Sequence, residues 1–236
     1  MRESAKTLGI IGGAGVAAAA QLYVDVSARY RAATAALPQI AIWNLPLSDE
    51  LERSFLGAGA DPAAVAAAEA LVAHAAERLA DAGATVIAMP CNALQRVAAR
   101  ESERVGLPFV DMIAGTVEAA RALGHREAVL LATSTTYAFG HYNGYGVEMI
   151  EPGAEERAEL AELIARLGEG PPPTGAELLD LIERVRRPDG AVVIGCTDIC
   201  GLIDLSASAG VVESLACLAD ACVQALGAAA PAVAGA

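Results

Sequence analysis

Lysine is almost absent: Lys6 is the only one among 236 residues, and it precedes the first strand-like run. No lysine therefore stands where a Schiff base to pyridoxal phosphate would need one. Aromatic residues make up 4%, too few for a platform on which single-stranded nucleic acid stacks. Positive charge is also scarce. Sixteen basic residues against 29 acidic ones give a net charge of −13, which argues against a binder of phosphate backbones. No apolar run reaches the roughly 18 uninterrupted residues of a membrane span. The longest candidates, Ala14–Ala20 and Ala225–Ala236, are alanine-rich, and the second carries Gly and Pro. Residues 1–6 lead directly into a strand-like run without a signal-peptide pattern, so a cytoplasmic location is expected. The three histidines (His74, His125, His141) lack metal-ligand spacing, and the five cysteines are an odd, irregular set that a reducing compartment keeps as thiols. There is no P-loop and no G-x-S-x-G turn.

Hydrophobic residues are 55% of the chain, much of it alanine. Short apolar runs alternate with longer alanine-rich helical stretches, the pattern of parallel sheets covered on both faces. The fold class expected is α/β. Strands are expected at Thr7–Ile11, Ile40–Leu45, Thr85–Met89, Phe109–Met112, Ala128–Ala132, Val147–Glu151, Ala191–Ile194 and Val211–Val212. A helix over Ala63–Ala82 opens after Asp61-Pro62 and stops at Gly83. Others run over Ala114–Leu123, stopping at Gly124, and Gly175–Val185, between Thr174 and Pro188. Gly168–Thr174, with three consecutive prolines, reads as a surface turn.

The eight strands divide into two similar sets of four. In each, the first strand ends in small residues and the third ends at a cysteine followed by a polar residue. Met89-Pro90-Cys91-Asn92 and Ile194-Gly195-Cys196-Thr197 correspond, 105 positions apart. Two similar parallel-sheet α/β domains are expected, joined near residues 113–127. The first takes residues 1–115 and 215–236, and the second takes 116–214.

Ligands of parallel α/β sheets bind beyond the carboxyl ends of the strands, where Cys91 and Cys196 both stand, each before an expected helix. A helix N-terminus lowers a thiol's pKa and receives a carboxylate. Two thiols facing each other across a cleft suit removal of a proton from one face of a carbon and delivery to the other. A buried core cysteine is the usual fate of a free thiol; equivalent positions on two similar halves favour the chemical reading. Thr133-Ser134-Thr135-Thr136 offers hydroxyls and N–H groups to a carboxylate, and equally a helix cap. The glycine-rich turn Gly9-Ile10-Ile11-Gly12-Gly13-Ala14-Gly15 lacks the G-x-G-x-x-G spacing, and no acid ends the second strand at Asn44-Leu45-Pro46. It reads as a backbone turn close to a small ligand, or as a tight turn with none.

Leu8-Gly9-Ile10-Ile11-Gly12-Gly13, Met89-Pro90-Cys91-Asn92, Leu131-Ala132-Thr133 with Thr136, and Gly195-Cys196-Thr197-Asp198 occur in this order over nearly the whole chain. In these segments the sequence resembles the aspartate/glutamate racemase superfamily. The resemblance implies two α/β domains about a pseudo-twofold axis with the active site between them, and neither cofactor nor metal. It implies Cys91 and Cys196 as paired acid and base, with Asn92, Thr133 and Thr197 near the substrate carboxylate. Gly12, Gly13, Ala93, Thr136 and Asp198 complete the expected substrate site. The chain departs from the aspartate-racemase pattern at Ala93 and Gln95, where that group has Thr and a nearby His, and at Asp198-Ile199-Cys200, where it has Glu-Leu-Pro. Arg53 is the nearest basic candidate for holding an acidic side chain. The activity expected is racemisation or epimerisation of a small amino acid or related carboxylate, most readily a neutral one. A maleate-type isomerase and a binding protein that has lost catalysis are the alternatives; a decarboxylase of this superfamily typically keeps only the second cysteine. A homodimer is expected, with neither nucleic acid nor membrane as partner.

Overall fold

The computed structural model describes residues 6–56, 61–167, 171–202 and 208–228. In chain order the elements are β1 (Thr7–Gly12), α1 (Val16–Thr34), β2 (Gln39–Asn44), α2 (Asp49–Leu56), α3 (Pro62–Asp81), β3 (Val86–Ala88), α4 (Gln95–Arg104) and α5 (Met112–Ala122). There follow β4 (Glu127–Ala132), α6 (Ser134–Ala138), β5 (Glu148–Ile150), α7 (Ala154–Arg166), α8 (Gly175–Val185), β6 (Ala191–Gly195), β7 (Val211–Glu213) and α9 (Ser214–Ala225). The strands form two parallel sheets, ordered β2-β1-β3 and β5-β4-β6-β7. Among the described residues no helix is long and apolar enough to cross a membrane.

Helix boundaries follow their local chemistry. Asp61 accepts the Ala63 N–H at 3.1 Å with Pro62 at the first helical position, so α3 starts where its cap dictates. Thr174 and Glu177 close a capping box on α8. The expected strand at Phe109–Met112 is not one. Phe109 makes a single bridge to Ile87, and the Asp111 carboxylate then accepts the Ala114 N–H at 3.0 Å, so α5 already begins at Met112. The cap wins over the short apolar run, and the first sheet has three strands instead of four. The stretch expected to join the halves, 113–127, is mostly this helix. Of the Gly168–Thr174 turn, residues 168–170 lie outside the described residues.

Both faces of the central strands β1, β3, β4 and β6 are buried, whereas the edge strand β2 is largely exposed. Ile11, Ile87 and Met89 pack under α3 with Leu79 and Ala76; on the opposite face Leu8, Ile10 and Ala88 meet α1 and α9 through Leu22, Val26, Leu215, Leu218 and Val223. Helix α9 thus covers the sheet that holds β1, about two hundred residues before it in sequence. Arg29 of α1 fastens it, pairing with Asp220 at 2.7 Å and donating to the Ala216 carbonyl at 2.7 Å. The second sheet is covered by α5 on one face, and by α7 and α8 on the other through Leu160, Leu163, Leu178, Leu181 and Ile182.

Candidate active site

The two cysteines reach a common cleft from different sheets. Cys91 follows β3, and Cys196 follows β6 directly. The cleft is lined by Ala14, Glu52, Cys91, Asn92, Ala93, Thr133, Thr136, Gly195, Cys196, Thr197 and Asp198. Both thiols are nearly buried, with exposures of 8% and 4%. Burial, followed by the nearby Asp198 carboxylate, pushes the Cys91 thiol up to about 12 and the Cys196 thiol well above its ordinary value. Backbone N–H groups oppose this: those of Leu94 and Ala93 point at the Cys91 sulfur, and that of Asp198 points at Cys196. Cys91 lies in the turn leading into α4, as expected. Cys196 does not precede a helix; the residues after it, 197–202, form turns, and its N–H partner comes from there.

The Cys91 loop is held on every side by buried groups. Gln95 donates through Nε2 to the carbonyls of Met89 at 2.6 Å and Cys91 at 3.2 Å, and its Oε1 accepts the Met112 N–H at 3.1 Å. Asn92 accepts the Tyr142 hydroxyl at 2.6 Å and donates to the Ser214 hydroxyl at 3.1 Å, which fixes its amide and leaves a second amide hydrogen for a ligand. Thr197 donates to the Pro90 carbonyl at 2.8 Å. Thr133 caps α6, its hydroxyl 3.0 Å from that of Thr136. The capping and the carboxylate-facing readings of these threonines coexist, because Thr133 caps while both residues line the cleft.

Gly12 and Gly13 stand apart from the lining. A Cβ on Gly13, at φ +104, would come within 2.5 Å of the Leu45 carbonyl oxygen, and one on Gly12 would press on Ala19. Their close approach is to Leu45, just after β2, and to Ala19 of α1, and the residue of this turn that lines the cleft is Ala14. Gly15 serves it indirectly: Asp198 Oδ1 occupies the space a Cβ would need, and the Gly15 backbone opposes the rise in the Glu52 pKa. Arg53 is not among the lining residues; its neighbour Glu52 is. Burial and the charge of Asp198 raise the Glu52 pKa, and burial raises that of Asp198. Among the described residues the cleft therefore presents two carboxyl groups and no basic side chain. Nothing in the acidic run Asp49-Glu50-Leu51-Glu52 marks out Glu52, since it reads as a solvated helix face. Tyr142 and Ser214 likewise carry no sequence signal, being distant polar residues that act on the site through hydrogen bonds; Gln95 is visible in the sequence only as a departure from the aspartate-racemase pattern, and its part in holding the Cys91 loop is not.

The remaining cysteines are elsewhere. Cys200 points back to the Cys196 carbonyl at 3.5 Å, Cys217 and Cys222 sit on α9, and all five are free thiols. Among the described residues no group of three His, Cys, Asp or Glu side chains is arranged to hold a metal ion.

Residues 11–222, which contain both cysteines, match the Asp/Glu/Hydantoin racemase family. The chain belongs to that family. Among solved structures, an aspartate racemase homologue from Pyrococcus horikoshii superposes with a TM-score of 0.72 at 24% identity, covering 94% of this chain and 99% of that one. The Picrophilus torridus aspartate racemase gives 0.70 at 21% identity over 96% of each chain. An arylmalonate decarboxylase gives 0.53 at 19% identity, over 94% of this chain and 92% of that one. These likenesses establish the two-domain parallel-sheet fold of the Asp/Glu racemases. Membership of the Asp/Glu/Hydantoin racemase family supports a racemase-type, isomerase function.

Proposed function

We propose that the protein is a cofactor-independent racemase or epimerase of a small amino acid or a related carboxylate, with Cys91 and Cys196 exchanging the α-proton. The observation that carries this reading is the meeting of the two thiols, one following each sheet, on one cleft whose lining also holds hydroxyl and amide donors. One sulfur, as thiolate, takes the Cα–H proton and becomes a thiol. The other, as thiol, gives its proton to the opposite face and becomes a thiolate. The proton count is unchanged and the roles reverse for the other enantiomer. The substrate carboxylate sits against the Asn92 amide, Thr133 and Thr136, whose dipoles also stabilise the negative charge that develops next to Cα.

Asp198 has a second part in the proposal. Its charge raises both thiols. An α-ammonium group paired with it cancels that field and brings positive charge beside the sulfurs, so substrate binding itself lowers the thiol pKa values. The empty site then holds protonated, unreactive cysteines and the occupied site a usable thiolate.

The deciding experiment is α-deuterium incorporation from D2O, followed by NMR over a panel of amino acids. Exchange with inversion supports the racemase, fumarate formed from maleate supports the isomerase alternative, and affinity without exchange supports a binding protein.

A further inference from the structure

His141 is absent from the cleft lining, yet it is hydrogen-bonded to the loop that carries Cys91. It lies in the turn after α6, with 4% of its surface exposed, and its Nε2 stands 2.9 Å from the Ala93 carbonyl oxygen. A carbonyl can only accept, so Nε2 carries a hydrogen. Nδ1 is buried without a partner, which makes it the bare nitrogen of a neutral ring. Burial keeps the imidazole below its ordinary pKa against the bond to Ala93, helped by the positive charge of Arg96 on α4; the Phe139 ring packs edge-on at 5.4 Å. The Ala93 carbonyl belongs to the same peptide group as the Leu94 N–H, and that N–H points at the Cys91 sulfur.

We propose that His141 is a positioning residue for Cys91: by donating to the Ala93 carbonyl it orients and polarises the Ala93–Leu94 peptide, whose N–H stabilises the Cys91 thiolate. Donation to a carbonyl strengthens the donor at the other end of the same amide, because hydrogen bonds in series polarise one another. The adjacent Tyr142 holds Asn92 in the same loop, so two consecutive residues of one turn fix two consecutive residues of the other. Cys196 lies outside this chain of bonds: the His141 bond ends on the Ala93 carbonyl, whereas the N–H facing Cys196 is that of Asp198. The catalytic consequence rests on the racemase reading; the hydrogen-bonded chain does not.

The test is the ratio of Cys91 to Cys196 alkylation by iodoacetamide at pH 8, resolved by peptide mass spectrometry, in wild type, His141→Phe and His141→Gln. Glu52 and Asp198, which face Cys91 from the cleft, are unchanged throughout. Loss of the donor should raise the Cys91 pKa by roughly half a unit, a threefold drop in the ratio, and Gln should restore it. An unchanged ratio in folded His141→Phe, or equal slowing at both cysteines, overturns the proposal. Nitrogen NMR of the unsubstituted protein gives an independent check. The Nε2–H tautomer and a slowly exchanging Leu94 amide are expected; the Nδ1–H tautomer, or Leu94 exchange as fast as in a free peptide, overturns it. None of these readouts needs turnover, so failure of the racemase reading leaves the test intact.

Discussion

Thr197, the residue after the second cysteine, donates its hydroxyl to the carbonyl of Pro90, the residue before the first, at 2.8 Å. The bond joins the two cysteine loops directly and is buried. Thr197→Val keeps the shape and leaves the Pro90 carbonyl without this donor. A loss of about 1–3 kcal/mol in unfolding free energy is expected by urea titration, with Thr197→Ser close to wild type. Equal stability of the Val and Thr proteins would mean that another donor replaces the hydroxyl.

Cys91→Ser should lower racemisation by at least roughly a hundredfold, since a serine hydroxyl is too weak an acid to serve as the base near neutral pH. Exchange of the α-proton from one enantiomer should survive better than inversion, because Cys196 still serves the other face. The measurement is deuterium incorporation from each enantiomer separately. Inversion at the wild-type rate would exclude the two-thiol mechanism. Dialysis against a chelator, or addition of pyridoxal phosphate, should leave the wild-type rate unchanged.

Asp198→Asn removes the carboxylate that raises both sulfurs. In the substrate-free protein the alkylation rates of Cys91 and Cys196 should both increase, because the thiolate fraction at fixed pH rises as the pKa falls. Turnover should fall despite the freer thiols, since the partner of the α-ammonium is lost. Faster alkylation with undiminished kcat/KM would separate Asp198 from substrate binding.

The pH dependence has a definite sign. With the Cys91 thiol raised to about 12, the reactive thiolate becomes more abundant as pH increases, so kcat/KM should climb between pH 6 and 9. A profile falling across this range would place the essential proton on a group other than these thiols.

Charge in the cleft should set the substrate order. A side-chain carboxylate entering beside Glu52 and Asp198 would meet negative charge and no basic partner among the lining residues. Neutral amino acids should therefore give higher kcat/KM than aspartate or glutamate. Glu52→Gln should narrow that gap, and Arg53→Ala should leave it in place. Aspartate as best substrate, with its preference destroyed in Arg53→Ala, would reverse the assignment of these neighbouring residues.

The parts of the fold visible in the sequence are those governed by local chemistry. Asp61-Pro62 and Thr174 name their helices because a cap and its N–H partner lie within three residues. The strands Thr7–Gly12 and Ala191–Gly195 stand out because burial on both faces demands an uninterrupted apolar run. Phe109–Met112 misleads because its apolar run overlaps the cap formed by Asp111. Cys91 and Cys196 are legible as a pair through the internal similarity of the halves. Glu52 and the Tyr142–Asn92–Ser214 chain are not, since tertiary packing alone brings residues so distant in sequence together. The glycine turn is half legible: the need for glycine is visible, whereas the partner it approaches is a neighbouring strand.

The placement of α9 has a consequence for synthesis. Leu8, Ile10, Leu22 and Val26 emerge from the ribosome early, yet the side chains that cover them, Leu215, Leu218 and Val223, are translated nearly two hundred residues later. Until then the nascent first sheet carries a bare apolar face, the kind of surface that chaperones bind and that aggregates when left unattended. Burial of that face of the first sheet therefore waits on α9. Once seated, α9 ties residues about two hundred positions apart into one core, so fraying of this helix would expose the first sheet again.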